Sequence, residues 1–89
     1  MYPMGDVMEE EKEITLSIHL AEDETNTVAT AVLDLRSDHF EAVGRARRNP
    51  SDPAKPVIGE ELAIARALRS LEAQITEAAE DKIERFLGD

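Results

Sequence analysis

The chain has no cysteine and no tryptophan. Without cysteine there is no disulfide, no thiolate zinc site and no cysteine nucleophile. Aromatic residues are nearly absent too: Tyr2, Phe40 and Phe86 are the whole set. Binding to single-stranded nucleic acid by base stacking needs a platform of such rings, and three scattered ones do not form it. No apolar run approaches the ~20 residues that a membrane-spanning helix needs. The opening MYPMGDVMEEEKE lacks the basic start and apolar stretch of a secretory signal, so a cytoplasmic protein without membrane contact is expected. Positive charge is scarce as well. Ten basic residues stand against twenty acidic ones, a formal net charge of −10. That balance opposes non-specific binding to nucleic acid or to anionic membrane. The phosphate-binding P-loop, G-x-G-x-x-G and G-x-S-x-G are missing. Ser17, Ser37, Ser51 and Ser70 have no local base partner. No catalytic residue, cofactor or metal is predicted, and the chain is not expected to be an enzyme.

What is present is a clear alternation of apolar and polar residues. An acidic arm over residues 1–11 precedes a single domain over residues 12–89, as 89 residues suggest. In EITLSIHL, Ile14, Leu16, Ile18 and Leu20 face one way, which predicts a half-buried strand. AEDETN is a polar turn. TVATAVLDL is a second strand with Ala29, Ala31, Leu33 and Leu35 on its core face. RSD links it as a tight hairpin to a third strand, HFEAVGRARR. There Phe40, Ala42, Gly44 and Ala46 share a face small enough to let a helix approach closely. NPSDPAKP places Pro50, Pro53 and Pro56 three apart, an extended crossover. A helix is predicted from Gly59 to Leu87, with Gly59 as N-cap and Glu60 and Glu61 in its first turn. Leu62, Ala65, Leu68, Leu71 and Ile75 form its apolar stripe, widened by Ile64 and Ala78. The fold class is therefore α+β: a three-stranded antiparallel sheet with one long C-terminal helix on one face.

The run ARRNPSDPAKPVIGEELAIARALRSL resembles the signature of a family of small, uncharacterised actinobacterial proteins, a domain of unknown function. The pattern falls on Gly44, Ala46, Arg47, Pro50, Asp52, Pro56, Ile58, Gly59, Glu61, Leu62, Ala63, Ala65, Arg66, Ala67, Leu68 and Leu71. The resemblance implies a fold similar to the double-stranded-RNA-binding domain without its first helix, and implies no activity. Such a domain sets Lys residues at the start of its last helix, against phosphates. This chain has Gly59, Glu60 and Glu61 there, so the resemblance is to the fold.

Charge is uneven along the chain. Residues 1–35 are net −8, residues 36–69 net +2 and residues 70–89 net −4. The central segment is thus the one place where an anion would be welcome. Arg45, Arg47, Arg48, Lys55 and Arg66 are the candidate anion or partner surface, beside a helix N-terminus. Against this, Arg45 and Arg47 can simply lie on the solvent face of strand three and pair with Glu13 or Asp34. Asp52 and Arg66 are a candidate clamp between loop and helix. His19 and His39 are too few for a metal site, show no His–carboxylate spacing and read as solvated. Glu77, Asp81 and Glu84 share a helix face and read as solvated too.

The pattern favours a small interaction or assembly protein with an unknown protein partner. The alternatives are nucleic acid at the 45–55 basic segment or a small anionic ligand beside the helix start. A helix of about 29 residues is about 43 Å long and should overhang the sheet by three or more turns. The overhang carries Ile83, Phe86 and Leu87, which predicts a homodimer through that end.

Overall fold

The computed structural model describes residues 9–87. It has four elements: β1 (Leu16–Glu22), β2 (Asn26–Leu35), β3 (Asp38–Arg47) and α1 (Pro56–Phe86). Most of the expected acidic arm, residues 1–8, lies outside the described residues. Glu9 to Glu11 are exposed and belong to no regular element.

The strands form an antiparallel sheet in the order β1-β2-β3. The β2–β3 hairpin closes with Leu35 opposite Asp38, so Arg36 and Ser37 form a two-residue turn. Arg36 has φ 57°, the positive value such tight turns demand. The register sets Leu20, Ala29 and Gly44 in one cross-strand row, and Ile18, Ala31 and Ala42 in the next. Rows on this face look toward α1.

The core consists of Ala29 and Ala31 from β2, Phe40, Ala42 and Ala46 from β3, and Ala63, Ala67 and Leu71 from α1. It is built on small residues. Helix backbone and strand backbone come so close that a Cβ on Gly44 would overlap the Ala63 carbonyl and the Ala67 amide. Leu71 is the one large aliphatic side chain of α1 that is buried, and its burial contributes about 2 kcal/mol.

Three expectations are corrected here. First, α1 starts at Pro56 rather than Gly59, with Lys55 as N-cap and proline in the first turn. Proline fits that position because its missing N–H would be unpaired there anyway. Glu60 and Glu61 therefore fall beyond the first turn, and Pro56 belongs to the helix rather than to the crossover. Gly59 is small for another reason: a Cβ there would stand 2.9 Å from the Thr27 hydroxyl.

Second, the buried stripe is Ala63, Ala67 and Leu71, while Leu62 and Ala65 are exposed. A strand face of alanine and glycine selects the alanine stripe of the helix, because only small-on-small permits this approach. Third, the apolar face of β1 is only partly covered. The helix packs on β3 and β2; Leu16 and Ile18 remain 39% and 38% exposed, and Ile14, expected in this strand, lies before it and is 53% exposed.

Candidate functional site

A cleft of useful size lies at the start of α1. It is an open cleft of about 500 Å³ between the β1–β2 turn, the 48–55 crossover and the first turns of the helix. Ala46, Pro53, Pro56, Ile58 and Leu62 supply apolar walls, and Glu22, Arg47, Asp52 and Lys55 stand among its charged groups.

The walls are held by local side-chain bonds. Asp23 Oδ1 accepts from the backbone N–H of Thr25 (2.9 Å) and of Asn26 (2.8 Å), which closes the β1–β2 turn. Those bonds to the ionised form hold the Asp23 carboxyl below its ordinary value. In the crossover, Asn49 Oδ1 accepts from the Ser51 N–H (3.0 Å) and hydroxyl (2.9 Å).

Arg48 joins the two loops. Its guanidinium donates to the Glu24 carbonyl (3.0 Å) and the Asp52 carbonyl (2.6 Å), with longer bonds to Asn49 and Pro50. Its own N–H donates to the Thr25 carbonyl at 2.7 Å. A planar fork of five donors suits this task, since one side chain can satisfy several convergent carbonyls.

The five candidate cations do not converge. Arg48 is engaged by carbonyls. Arg66 donates to the Arg45 carbonyl at 2.7 Å. Arg45 and Arg47 are exposed and alternate with the buried Ala46 on β3; Arg45 stands on the sheet face turned from the helix, and Arg47, the last residue of the strand, borders the cleft. Arg45 lies across from Val28 rather than from Glu13 or Asp34. Lys55 is exposed at the helix start.

The expected Asp52–Arg66 clamp is corrected as well. Arg66 lies about three turns into α1, where it donates to the Arg45 carbonyl of β3. The loop is held instead by Arg48 on the Asp52 backbone carbonyl.

At the edge of the cleft two carboxyls meet. Glu60 of α1 lies beside Glu22 at the end of β1, and the Glu22 carboxyl raises the Glu60 pKa, by hydrogen bonding first and by like charge second. The Thr27 hydroxyl also approaches Glu22, at 3.4 Å.

The opposite face of the sheet holds a group that the spacing did not suggest. His39 Nδ1 lies 2.5 Å from Asp34 and Nε2 lies 3.4 Å from Glu41. Asp34 is its cross-strand partner in the hairpin, and Glu41 is two residues on, on the same face. Both carboxylates raise the His39 pKa above its ordinary 6.5, the Asp34 hydrogen bond first. The signal was the hairpin register, which turns a sequence distance of five into direct contact. The histidine is exposed, and the trio fixes the hairpin end rather than enclosing a site.

Along the outer edge of β3 the helix side chains act as caps. Arg66 takes the Arg45 carbonyl, Gln74 takes the Glu41 carbonyl at 2.9 Å, and Lys82 pairs with Asp38 at 2.6 Å. Carbonyls of an open edge are thereby given partners.

A three-stranded meander capped by one helix, with an alanine–glycine seam and an arginine-held crossover, defines a small single-core α+β protein. The chain belongs to the Rv2632c-like family, whose model matches residues 12–89. It is 40% identical over 70 residues to "Uncharacterized protein Mb1767" of Mycobacterium bovis, covering 79% of this chain and 74% of that protein. The same figures hold for "Uncharacterized protein MT1780" of Mycobacterium tuberculosis. Its fold is similar to the crystal structure of Rv2632c, with a TM-score of 0.81 and 33% identity over 89% of this chain and 94% of that one. None of these comparisons brings an assigned activity. No described helix is long and apolar enough to cross a membrane.

Proposed function

We propose that this is a small, non-enzymatic interaction and assembly protein of the cytoplasm that pairs with a second copy of itself through the end of its helix. One observation carries the reading. Lys82 still reaches Asp38, the first residue of β3, and beyond it Ile83, Phe86 and Leu87 are 55%, 70% and 81% exposed. Ala78 is the last helix residue packed against the core, and Ala79 to Leu87 are all exposed, an end of about two and a half turns against the three or more expected. It is nonetheless apolar, and a surface of this kind is suited to burial against another chain. Arg85 stands 5.7 Å from the centroid of the Phe86 ring, within the range of a cation–π contact.

Sedimentation of the wild type and of the Phe86→Asp/Leu87→Asp variant tests this. The wild type should be a dimer at micromolar concentration, and the variant a monomer with unchanged circular dichroism. A monomeric wild type, or a variant of unchanged mass, overturns it.

The cleft beside the helix start supports a second reading, a small ligand. Arg47 and Lys55 would favour an anion, but Glu22, Asp23, Glu24 and Asp52 share the lining and oppose it. A melting temperature raised by millimolar phosphate or citrate would favour the anion. For nucleic acid the same carboxylates count against binding. Salt-dependent binding of duplex RNA at low ionic strength would be the opposing result.

A further inference from the structure

The two edges of the sheet are treated differently. On β3, helix side chains occupy the carbonyls of Arg45 and Glu41. On β1, no described residue pairs with the outer side. An edge strand of this kind offers a row of backbone donors and acceptors to any extended chain that lies beside it.

Beside β1 the fold also leaves apolar surface. Leu16, Ile18 and Leu20 lie in the same cross-strand rows as Leu33, Ala31 and Ala29, on the helix side. Leu16 and Ile18 are more than a third exposed. At 100° per residue, Ile64, Leu68 and Ile75 lie on the flank of α1 opposite Arg66. Arg66 holds to β3, so the other flank turns toward β1. Ile64, Leu68 and Ile75 are only partly buried. The result is a strip of partly exposed apolar side chains beside the β1 edge, next to backbone that no described residue pairs.

The charges around it select the occupant. From Glu9 to Glu24 the chain carries seven acidic residues and one base, Lys12. Glu9, Glu10, Glu11 and Glu13 precede the strand, and Glu22, Asp23 and Glu24 end or follow it. Glu60 adds a carboxyl near Glu22, and Glu61 follows it in the chain. A second copy docked antiparallel through β1 would set these acidic ends against each other. Cations at both ends of an incoming strand would meet carboxylates instead. The Glu22–Glu60 pair, which forms no ion pair with a cation among the described residues, is where one such cation would sit.

We propose that β1 is a docking edge for an extended segment of another protein, apolar at alternate positions and carrying lysine or arginine at both ends. The segment extends the sheet as a fourth strand. Its apolar side chains lie against Leu16, Ile18 and the Ile64–Leu68 flank of α1. This proposal rests on the reading of the chain as an interaction protein, but it uses a different surface from the helix end.

The test uses the full chain and synthetic peptides in which three valines alternate with threonines, ended by lysine pairs or by glutamate pairs. The lysine-ended peptide should bind, and the glutamate-ended one should bind at least about tenfold more weakly at low salt. Ile18→Lys should abolish binding with unchanged circular dichroism, since Ile18 is on an open edge. Glu22→Gln/Glu60→Gln should weaken binding and lessen its salt dependence. Equal binding of both peptides, or binding of neither, overturns the proposal. So does a wild-type dimer that Ile18→Lys turns into monomer, which would give the edge to a second copy. A lysine-ended peptide that binds only after removal of residues 1–8 would give it to the chain's own arm and equally overturns it. If the peptides fail while Phe86→Asp/Leu87→Asp still breaks a dimer, the assembly reading stands and this one falls.

Discussion

Gly44 shows how much one missing methyl group decides. It sits in the middle of β3 and directly under the helix backbone, where a Cβ would overlap two backbone groups of α1. Neither side can yield without moving a whole element. Gly44→Ala should therefore cost about 3 kcal/mol, read as a lowered denaturant midpoint with an unchanged slope. A loss within about 0.5 kcal/mol, the range of an ordinary surface change, would mean that the seam is looser than the geometry indicates. His39 gives a pH dependence whose sign follows from its partners. Its pKa is raised in the folded protein by Asp34 and Glu41. The histidine is thus protonated more readily when folded than when unfolded, where its value is near 6.5. The stabilisation is fully present below that value and is lost as pH rises through the folded pKa. The wild type should lose stability relative to His39→Gln as pH rises through the near-neutral range. A proton NMR titration of His39 with a midpoint at or below 6.5 would contradict the geometry. The group is solvent-exposed, so the change in stability should be small.

At the scale of elements, the three strands and the helix were legible because their periodicities are strong. Alternation in ITLSIHL and VATAVLDL fixed the strands, and the RSD link fixed the hairpin. The rotation of the helix was harder to read. Leu62, Leu68 and Ile75 have larger side chains than Ala63 and Ala67, and hydrophobicity alone ranks them as the core. The seam inverts that ranking, because a face of Ala42, Gly44 and Ala46 admits a helix backbone only behind alanines. The same small residues were visible on both elements, and pairing small with small would have found the true stripe. The cation cluster was legible only as composition. Which arginine meets which carbonyl depends on loop shape, and neither Arg48 nor Arg66 announces a backbone partner through sequence spacing. Arg48 now carries a prediction of its own. Arg48→Ala removes the donor that ties Glu24 to Asp52 and should cost about 1–2 kcal/mol. Hydrogen exchange should quicken first in residues 23–26 and 49–55, before the β2–β3 ladder does. Uniform acceleration across the sheet, or none in either loop, would show that Arg48 is not the tie. Arg48→Lys should not restore protection, since an ammonium cannot bridge the two carbonyls with the same planar fork.

For the whole molecule the governing quantity is a net charge of −10 on 89 residues. Two copies brought together repel, and the proposed dimer contact is itself acidic. Residues 77–85 carry Glu77, Glu80, Asp81 and Glu84 against Lys82 and Arg85, a local balance of −2. Association through Ile83, Phe86 and Leu87 would be driven by apolar burial and opposed by like charge. Added salt screens the second term, with a Debye length falling from about 10 Å at 0.1 M to about 3 Å at 1 M, and leaves the first largely in place. The dimer should therefore tighten as sodium chloride is raised from about 0.05 to about 0.5 M. A basic strand at β1 draws on attraction between opposite charges, so its binding should weaken over the same range. Sedimentation and peptide titration in the same buffers measure both on one protein. Opposite slopes are the expected result. A dimer that loosens with salt would mean that its contact is held by ion pairs rather than by the apolar helix end. A peptide affinity independent of salt would mean that the acidic rim of β1 takes no part in choosing what docks there.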